Sequence, residues 1–155
     1  MTSDPGHVSN LRPLTPADLE AWHDLQARQI ADPYTRDALH DELSLRQART
    51  LGAFSEGRLL GTMLAWLVVD ELQIMQVVVA PEARRLGIGR DLVTQVMRRA
   101  RAGGAVTATL EVRAGNVSAI ALYEAMGFAV DGHRPRYYPD GEDAVLMRCD
   151  LGPIT

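Results

Sequence analysis

The sequence contains a single cysteine, Cys149, no long apolar run and no excess of positive charge. One cysteine excludes a disulfide framework within the chain, which is typical of a reducing compartment. The longest apolar stretches, 59–69 and 74–80, have the length of strands rather than of membrane spans. The first ten residues have no basic segment and no apolar core, so they do not resemble a signal peptide. These absences predict a cytoplasmic protein with no membrane partner.

A formal net charge of −4 also argues against a nucleic-acid partner, because general nucleic-acid binders carry a basic surface. Hydrophobic residues make up 46% of the chain and charged residues 23%, which is enough to bury a core. A length of 155 residues fits one domain. We expect residues 1–9 to be a loose lead-in and residues 10–152 to form a single domain.

Capping residues and periodicity predict the order of elements. Thr15, with Pro16 and Asp18 after it, and Thr35 are each suited to begin a helix, the second over 36–48. Residues 50–69 indicate two strands joined by a turn at 55–57, and 72–80 a further strand whose three valines suggest burial on both faces. A mixed α/β domain follows from this order.

The second half of the chain has clearer signals. After Gly89, apolar residues recur at helical spacing until Gly103 and Gly104 end the helix. The stretch "VTATLEV" alternates, so Val106, Ala108, Leu110 and Val112 are expected on one face of a strand and Thr107, Thr109 and Glu111 on the other.

Asn116 can cap the next helix, which Gly127 stops. Two final strands are expected over 128–138 and 143–151, with turn residues Pro139, Asp140 and Gly141 between them. Cys149 alternates with apolar neighbours in the last strand, which predicts a buried residue rather than a nucleophile.

The stretch "PEARRLGIGRDLV" places glycines and arginines between a strand and the start of a helix. The first helical turn has unpaired N–H groups and a partial positive charge, so the stretch is suited to bind a phosphorylated ligand. It is not a P-loop, because no Gly-Lys-Ser/Thr follows, and Leu92 stands where the dinucleotide motif has its third glycine. A tight turn with solvated arginines is the alternative interpretation.

The segment from Arg84 to Gly89 resembles the pyrophosphate-binding signature of the GCN5-related N-acetyltransferases (GNAT), Arg/Gln-x-x-Gly-x-Gly/Ala. The later stretch "LEVRAGNVSAIALYEAMGFAVDGHRPRYYPDGEDAVLM" resembles the RimI-type branch, which acetylates the N-terminal alanine of a ribosomal protein. The resemblance implies a single-domain GNAT-like α/β fold. It would have a mixed, mostly antiparallel central sheet of about six to seven strands and about four flanking helices.

The resemblance implies an acetyl-CoA-dependent N-acetyltransferase in which Glu111, in "LEVR", is the general base and Tyr123 the general acid. A phenol with a pKa of about 10 can protonate a departing thiolate. The residues alone favour a solvated Glu111 carboxylate paired with an arginine such as Arg113 or Arg148, and a Tyr123 that belongs to the core.

The same resemblance places coenzyme contacts on a strand, on the glycine turn and on the helix that Asn116 caps. The implied coenzyme-binding residues are Val77, Val78, Val79, Arg84, Arg85, Leu86, Gly87, Ile88, Gly89, Arg90, Asn116, Ala119 and Tyr123. Capping alone would also explain Asn116, and packing would explain the valine side chains.

The acceptor is less well specified by the sequence. An aromatic "PWS"-like segment often follows the first helix of the resembling branch, whereas "DPYTRDAL" stands here, with Tyr34 in place of the tryptophan. A protein N-terminus, a small-molecule amine, a lysine side chain, or coenzyme binding without turnover therefore remain alternatives, as do a monomer and a homodimer. His7, His23, His40 and His133 lack the spacing of metal ligands, so no metal is expected.

Overall fold

A computed structural model describes residues 10–152 of the protein, so the expectation for residues 1–9 lies outside the described residues. The helices of this part of the chain are α1 (Leu19–Gln29), α2 (Arg36–Ser44), α3 (Ile88–Ala102) and α4 (Val117–Ala125). The strands are β1 (Asn10–Arg12), β2 (Ala48–Ser55), β3 (Arg58–Val68), β4 (Glu71–Val79), β5 (Thr107–Arg113), β6 (Ala129–Arg134) and β7 (Ala144–Asp150).

The strands form one mixed sheet in the order β1-β2-β3-β4-β5-β7-β6. Pairing is antiparallel between β1 and β2, β2 and β3, β5 and β7, and β6 and β7. Strands β4 and β5 run parallel, from Glu71 opposite Thr107 to Ile74 opposite Leu110. The predicted fold class is therefore confirmed. The helices of residues 10–152 all fall short of the length and apolar character that a membrane span requires.

The chain packs as two compact units, and the single domain over 10–152 stays a prediction. The first unit contains the described residues up to Trp66 together with Gln76–Val96. The second contains Leu67–Met75 and the described residues from Met97 onward. Strand β4 and helix α3 each contribute residues to both units.

In the first unit, β1, β2 and β3 form an antiparallel ribbon with a turn at Glu56 and Gly57. Both turn residues have positive φ, 52° and 78°, as a two-residue hairpin turn requires. An apolar cluster packs against the ribbon and consists of Leu14, Trp22, Leu39, Phe54 and Leu64. The two strands that the sequence predicts here are confirmed.

Capping at both early helices is also confirmed, with two differences. The Thr15 N–H and hydroxyl donate to Asp18, and the residues from Pro16 to Asp18 form a 3₁₀ turn before α1 begins at Leu19. The Thr35 side chain accepts from the N–H of Ala38. Helix α2 ends at Ser44 rather than reaching residue 48, because Leu45 is extended and a short turn leads directly into β2.

In the second unit, β7 lies between β5 and β6, and Glu111 is opposite Leu146. Ala108, Leu110 and Val112 are buried as predicted, but Val106 precedes β5 and is 42% exposed, so that assignment is wrong. Strand β6 ends at Arg134 rather than at residue 138, because Pro135 cannot donate to the sheet.

Burial differs from the prediction at Cys149 and on β4 and agrees with it in α3. Cys149 is half-buried rather than buried, and burial raises the pKa of its thiol. Val78 is buried, but Val77 and Val79 are half-buried, so β4 is not covered equally on both faces there. Helix α3 agrees with its pattern, since Leu92, Val93, Val96 and Ala100 are buried and its arginines are exposed.

Candidate active site

The glycine turn, residues 84–89, connects the 3₁₀ turn Pro81–Ala83 to helix α3. Arg85 has φ of 67° and Gly87 has φ of 79°, so the backbone bends back on itself twice within three residues. Left-handed backbone is unfavourable for a non-glycine residue and occurs often at ligand-binding turns. The helix begins at Ile88, and the N–H of Asp91 donates to the carbonyl of Gly87 at 2.9 Å.

The N–H groups at the start of α3, which begins at Ile88, have no acceptor within the helix. They stand at the positive end of a 15-residue helix, where the peptide dipoles favour an anion. Arg84, Arg85 and Arg90 are exposed beside them. Arg84 donates through Nη2 to Oε1 of Gln29 at 2.8 Å, so this guanidinium is already oriented. The turn can therefore bind a phosphate-bearing ligand.

The two glycines of the turn have different structural explanations. Gly87 needs its positive φ, and a Cβ there would meet no atom within 4 Å. Gly89 lies in the first turn of α3 without positive φ, and a Cβ there would make ordinary contacts of 3.7 Å with Val79 and 3.8 Å with Val77. Neither backbone nor packing requires glycine at position 89. A glycine in a helix costs about 1 kcal/mol relative to alanine, which favours a ligand as the reason for Gly89.

In the second unit, Glu111 lies on β5 directly after Leu110, the last residue of that strand paired with β4. Its Oε1 is 3.6 Å from Nε of Arg134 on β6. Hydrogen bonding to Glu111 raises the pKa of Tyr137. The arginine partners expected from the sequence are wrong, because Arg113 pairs with Asp140 and Glu142, and Arg148 with Asp150.

Tyr123 lies on α4 with its ring in edge contact with Phe128, at 5.7 Å between centroids. Burial raises the pKa of this phenol. The Tyr123 hydroxyl has no hydrogen-bond partner among residues 10–152, yet the one fully buried side-chain nitrogen or oxygen without a partner in that part of the chain is Nε1 of Trp22. The Tyr123 hydroxyl is therefore not completely buried. The ring is thus fixed while the proton is available.

Asn116 caps α4 as predicted, accepting the N–H of Ala119 at 3.2 Å. That N–H is therefore already occupied. Helix α4 ends at Ala125, followed by Gly127 with φ of 101°. No hydrogen bond joins Glu111 to Tyr123 within the described chain.

The predicted site residues are distributed over the two units. Val77 to Val79 and residues 84–90 belong to the first unit, and Glu111, Asn116, Ala119 and Tyr123 to the second. Within residues 10–152, no group of three or more His, Cys, Asp or Glu side chains could hold a metal ion.

Sequence reasoning missed two polar clusters that only tertiary structure brings together. In the first unit, buried Gln26 donates to Gln76 and accepts the N–H of Tyr34 at 3.0 Å, and Trp66 donates to buried Glu42 at 2.9 Å. In the second, Arg113 pairs with Asp140 and Glu142 of the loop 135–143. The sequence predicted a turn around residue 140 but contained no signal for these contacts.

Comparison with known proteins gives consistent results. Residues 17–128 match the acetyltransferase (GNAT) family. The N-alpha-acetyltransferase RimI of Mycobacterium tuberculosis is 36% identical over 159 residues, covering 98% of each chain. The ribosomal protein bS18-alanine N-acetyltransferase of Escherichia coli K12 is 32% identical over 143 residues, covering 90% of this chain and 96% of the relative.

A solved structure agrees with these matches. The crystal structure of the ribosomal-protein-S18-alanine N-acetyltransferase from Escherichia coli superposes with a TM-score of 0.87 at 30% identity. The match covers 94% of this chain and 96% of that one. The likeness therefore extends over nearly the whole chain, including its first half.

Proposed function

The chain belongs to the acetyltransferase (GNAT) family, and we propose from that membership that it acetylates the N-terminal alanine of a ribosomal protein in the cytoplasm, where such proteins are made. The family membership makes the chain an acetyl-CoA-dependent N-acetyltransferase. Coenzyme binding without turnover is therefore no longer a competing interpretation. The acceptor, the catalytic residues and the coenzyme contacts are the proposed part.

The observation that carries the acceptor is the near full-length similarity to relatives named for alanine acetylation on ribosomal protein bS18. Similarity restricted to the part of the chain from β4 onward, which contains the proposed coenzyme contacts, would support acetyl transfer in general. Here the similarity also covers α1 and α2, which precede β4. We therefore expect a peptide N-terminus beginning with alanine to be a better acceptor than a lysine side chain.

We propose that the glycine turn binds the diphosphate of acetyl-CoA. The N–H groups at the start of α3, the dipole of that helix and the three exposed arginines all favour a phosphate there. The absence of a side chain at Gly89 would leave the first helical turn open to close approach. Val77 to Val79 are proposed to contact the coenzyme through their backbone.

We propose Glu111 as the base and Tyr123 as the acid. Glu111 would take the proton from the acceptor ammonium, and the neutral nitrogen would attack the thioester carbonyl. A C–N bond forms and the C–S bond breaks. Tyr123 would give its proton to the leaving thiolate and regain one, through solvent, from the nitrogen, which loses its second proton to become the amide. The ring contact of Tyr123 with Phe128 supports this role because it fixes the side chain, and a phenol is protonated at neutral pH, as a proton donor must be.

The segment after α1 supports a second acceptor class. It reads "DPYTRDAL" in this chain, without the tryptophan of the branch that it resembles. Tyr34 is half-buried there, and its backbone is held by Gln26. A small-molecule amine is therefore the alternative acceptor, and it calls for a direct comparison.

The test is acetyl transfer from acetyl-CoA to matched peptides. One peptide begins with alanine, a second carries the same sequence with a blocked N-terminus and an internal lysine, and small amines form a third set. All 16 basic residues of the enzyme are arginine, so it offers no lysine amine of its own as background. We expect the free alanine peptide to be preferred at least about tenfold in kcat/KM. Preference for the blocked peptide or for a small amine would refute the proposed acceptor.

A further inference from the structure

The side chain of Gln26, in the last turn of α1, is completely buried, with an exposed fraction of 0%. Both ends of its amide form hydrogen bonds. Its Nε2 donates to Oε1 of Gln76 on β4, and its Oε1 accepts the N–H of Tyr34 at 3.0 Å. Three segments of the first unit therefore meet at one side chain: α1, β4 and the α1–α2 loop, residues 30–35.

The α1–α2 loop is held at both of its ends by Gln26. The backbone carbonyl of Gln26 accepts the N–H of Ile30 at 2.9 Å where the helix ends, and the side-chain carbonyl accepts the N–H of Tyr34. The half-buried Tyr34 also packs against the apolar cluster of the first unit, and Thr35 then caps α2. The loop thus has a defined backbone, and the amide of Gln26 connects it to β4.

Packing alone does not account for a glutamine at this position. A buried amide has to recover the hydrogen bonds that it loses on leaving water, whereas methionine fills a similar volume without that requirement. The neighbouring buried residues of α1, Trp22 and Leu25, show that this side of the helix accepts apolar side chains. The amide contributes direction instead, because each of its hydrogen bonds constrains a distance and an angle between two segments.

Gln76 marks a defined place on β4. It directly precedes Val77 to Val79, which are proposed to contact the coenzyme, and the diphosphate is proposed to bind further along the chain, at residues 84–89. The arm of the coenzyme would then run back along β4, where residues are about 3.3 Å apart, so that its acyl end lies towards Val77. The contact between Gln26 and Gln76 thus ties the α1–α2 loop to the place where the acceptor amine has to arrive.

We infer that Gln26 is a positioning residue for the acceptor: its amide holds the α1–α2 loop against β4 beside the acyl end of acetyl-CoA, so that the loop forms one wall of the acceptor site. This inference rests on the proposed function, from which it takes the position of acetyl-CoA on β4. Gln26 itself touches neither substrate, because its side chain has no exposed surface. Its loss should therefore act on acceptor binding through the loop and leave coenzyme binding intact.

The kinetic test replaces the amide with a thioether of similar size. Gln26→Met should raise the acceptor KM about tenfold, while kcat and the coenzyme Kd stay within about twofold of the parent. Gln26→Glu should restore the acceptor KM to within about threefold, because burial favours the neutral acid, which can accept from Tyr34 and donate to Gln76 as the amide does. Gln47→Met, at a half-buried glutamine between α2 and β2, is the control and should leave all three quantities unchanged.

Gln76→Met is a second variant, because it removes the contact from the side of β4 and keeps the hydrogen bond between Gln26 and Tyr34. It should also raise the acceptor KM. The double variant Gln26→Met/Gln76→Met should be no worse than Gln26→Met alone, since both changes remove the same contact. Exchange of the Tyr34 N–H with solvent, followed by NMR, should be faster in Gln26→Met than in the parent or in Gln26→Glu.

A parent-like acceptor KM in folded Gln26→Met would overturn the inference. An increase in the coenzyme Kd equal to the increase in KM would also overturn it, since the role of Gln26 would then lie in coenzyme binding. A Tyr34 N–H that exchanges equally fast in the parent and in Gln26→Met contradicts the contact itself. If Gln26→Met does not fold, Gln76→Met decides by the same two kinetic criteria.

The proposed acceptor can fail separately from this inference. The preference of the parent among the peptides and small amines decides the acceptor. The variants at Gln26 and Gln76 are then compared with the parent on whichever acceptor the parent prefers. A parent that prefers a small amine therefore refutes the alanine acceptor, while an unchanged KM for the preferred acceptor in the variants refutes only the role of Gln26.

Discussion

At the scale of single residues, Tyr123 combines a ring packed against Phe128 with a hydroxyl that makes no hydrogen bond with residues 10–152. Tyr123→Phe keeps the ring contact with Phe128 and removes only the proton. We expect kcat to fall on the order of 10²-fold, the usual contribution of a general acid, with the coenzyme Kd unchanged. Steady-state kinetics together with calorimetry of coenzyme binding would measure both quantities. A kcat equal to that of the parent would remove Tyr123 from the mechanism.

The raised pKa of Tyr123 also predicts how activity depends on pH. Because burial favours the neutral phenol, the proposed acid stays protonated to higher pH than a solvated tyrosine would. Activity should therefore not decline on the alkaline side, through this group, until the pH exceeds the ordinary tyrosine value of about 10.

A second prediction at the scale of residues concerns Arg84. Its guanidinium donates to Gln29, so Arg84→Ala removes a charge that is already oriented beside the glycine turn. We expect the coenzyme Kd to rise about tenfold, equivalent to about 1.4 kcal/mol. Isothermal titration with coenzyme A measures it.

Gln29→Ala is the matched control for Arg84, because it removes the hydrogen bond and keeps the charge. Its effect on the coenzyme Kd should be clearly smaller than that of Arg84→Ala. Equal Kd values for the parent and Arg84→Ala would exclude this arginine from the proposed diphosphate site.

At the scale of elements, Gly89 gives the clearest test of the proposed diphosphate site, because helix α3 would be more stable with another residue at this position. Gly89→Ala should raise the free energy of unfolding by about 0.4–1 kcal/mol, since the added methyl group would make only ordinary contacts with Val77 and Val79. The same change should weaken coenzyme binding by placing a methyl group where the ligand approaches. Chemical denaturation and calorimetry would follow the two effects separately.

Gly103→Ala, at the other end of α3, is the control for Gly89→Ala. An added Cβ there meets only the carbonyls of Ala100 and Arg99, both at 3.5 Å. It should leave the coenzyme Kd unchanged. If Gly89→Ala also leaves the Kd unchanged, the first turn of α3 does not contact the coenzyme.

Local chemistry predicted most elements, since caps and turns act over a few residues. Thr15, Thr35 and Asn116 begin helices as expected, and Gly127 follows the end of α4. The predictions failed where tertiary structure sets the boundary of an element. Leu45 is extended and ends α2 shortly before β2, and Val106 precedes the strand to which it was assigned. The proposed site shows the same division. The glycine turn is visible in the sequence, whereas the pairing of Arg113 with Asp140 and Glu142 depends on a loop folding back.

At the scale of the whole molecule, coenzyme binding should stabilise the fold by mass action. A ligand at about 100 times its Kd stabilises the native state by about 2.7 kcal/mol, which corresponds to a Tm increase of roughly 5–10 °C for a chain of this size. Thermal scans with and without coenzyme A would measure the shift. Gly89→Ala should show a smaller shift at equal ligand concentration, and no shift in the parent would contradict the proposed diphosphate site.

Both tryptophans of the chain, Trp22 and Trp66, belong to the first compact unit, whereas three of the four tyrosines, Tyr123, Tyr137 and Tyr138, belong to the second. Indole fluorescence will therefore follow melting of the first unit alone, and phenol signals will chiefly follow the second. Superimposable curves from the two chromophores are what one cooperative domain over 10–152 requires. Curves that separate would reveal two melting steps inside one enzyme.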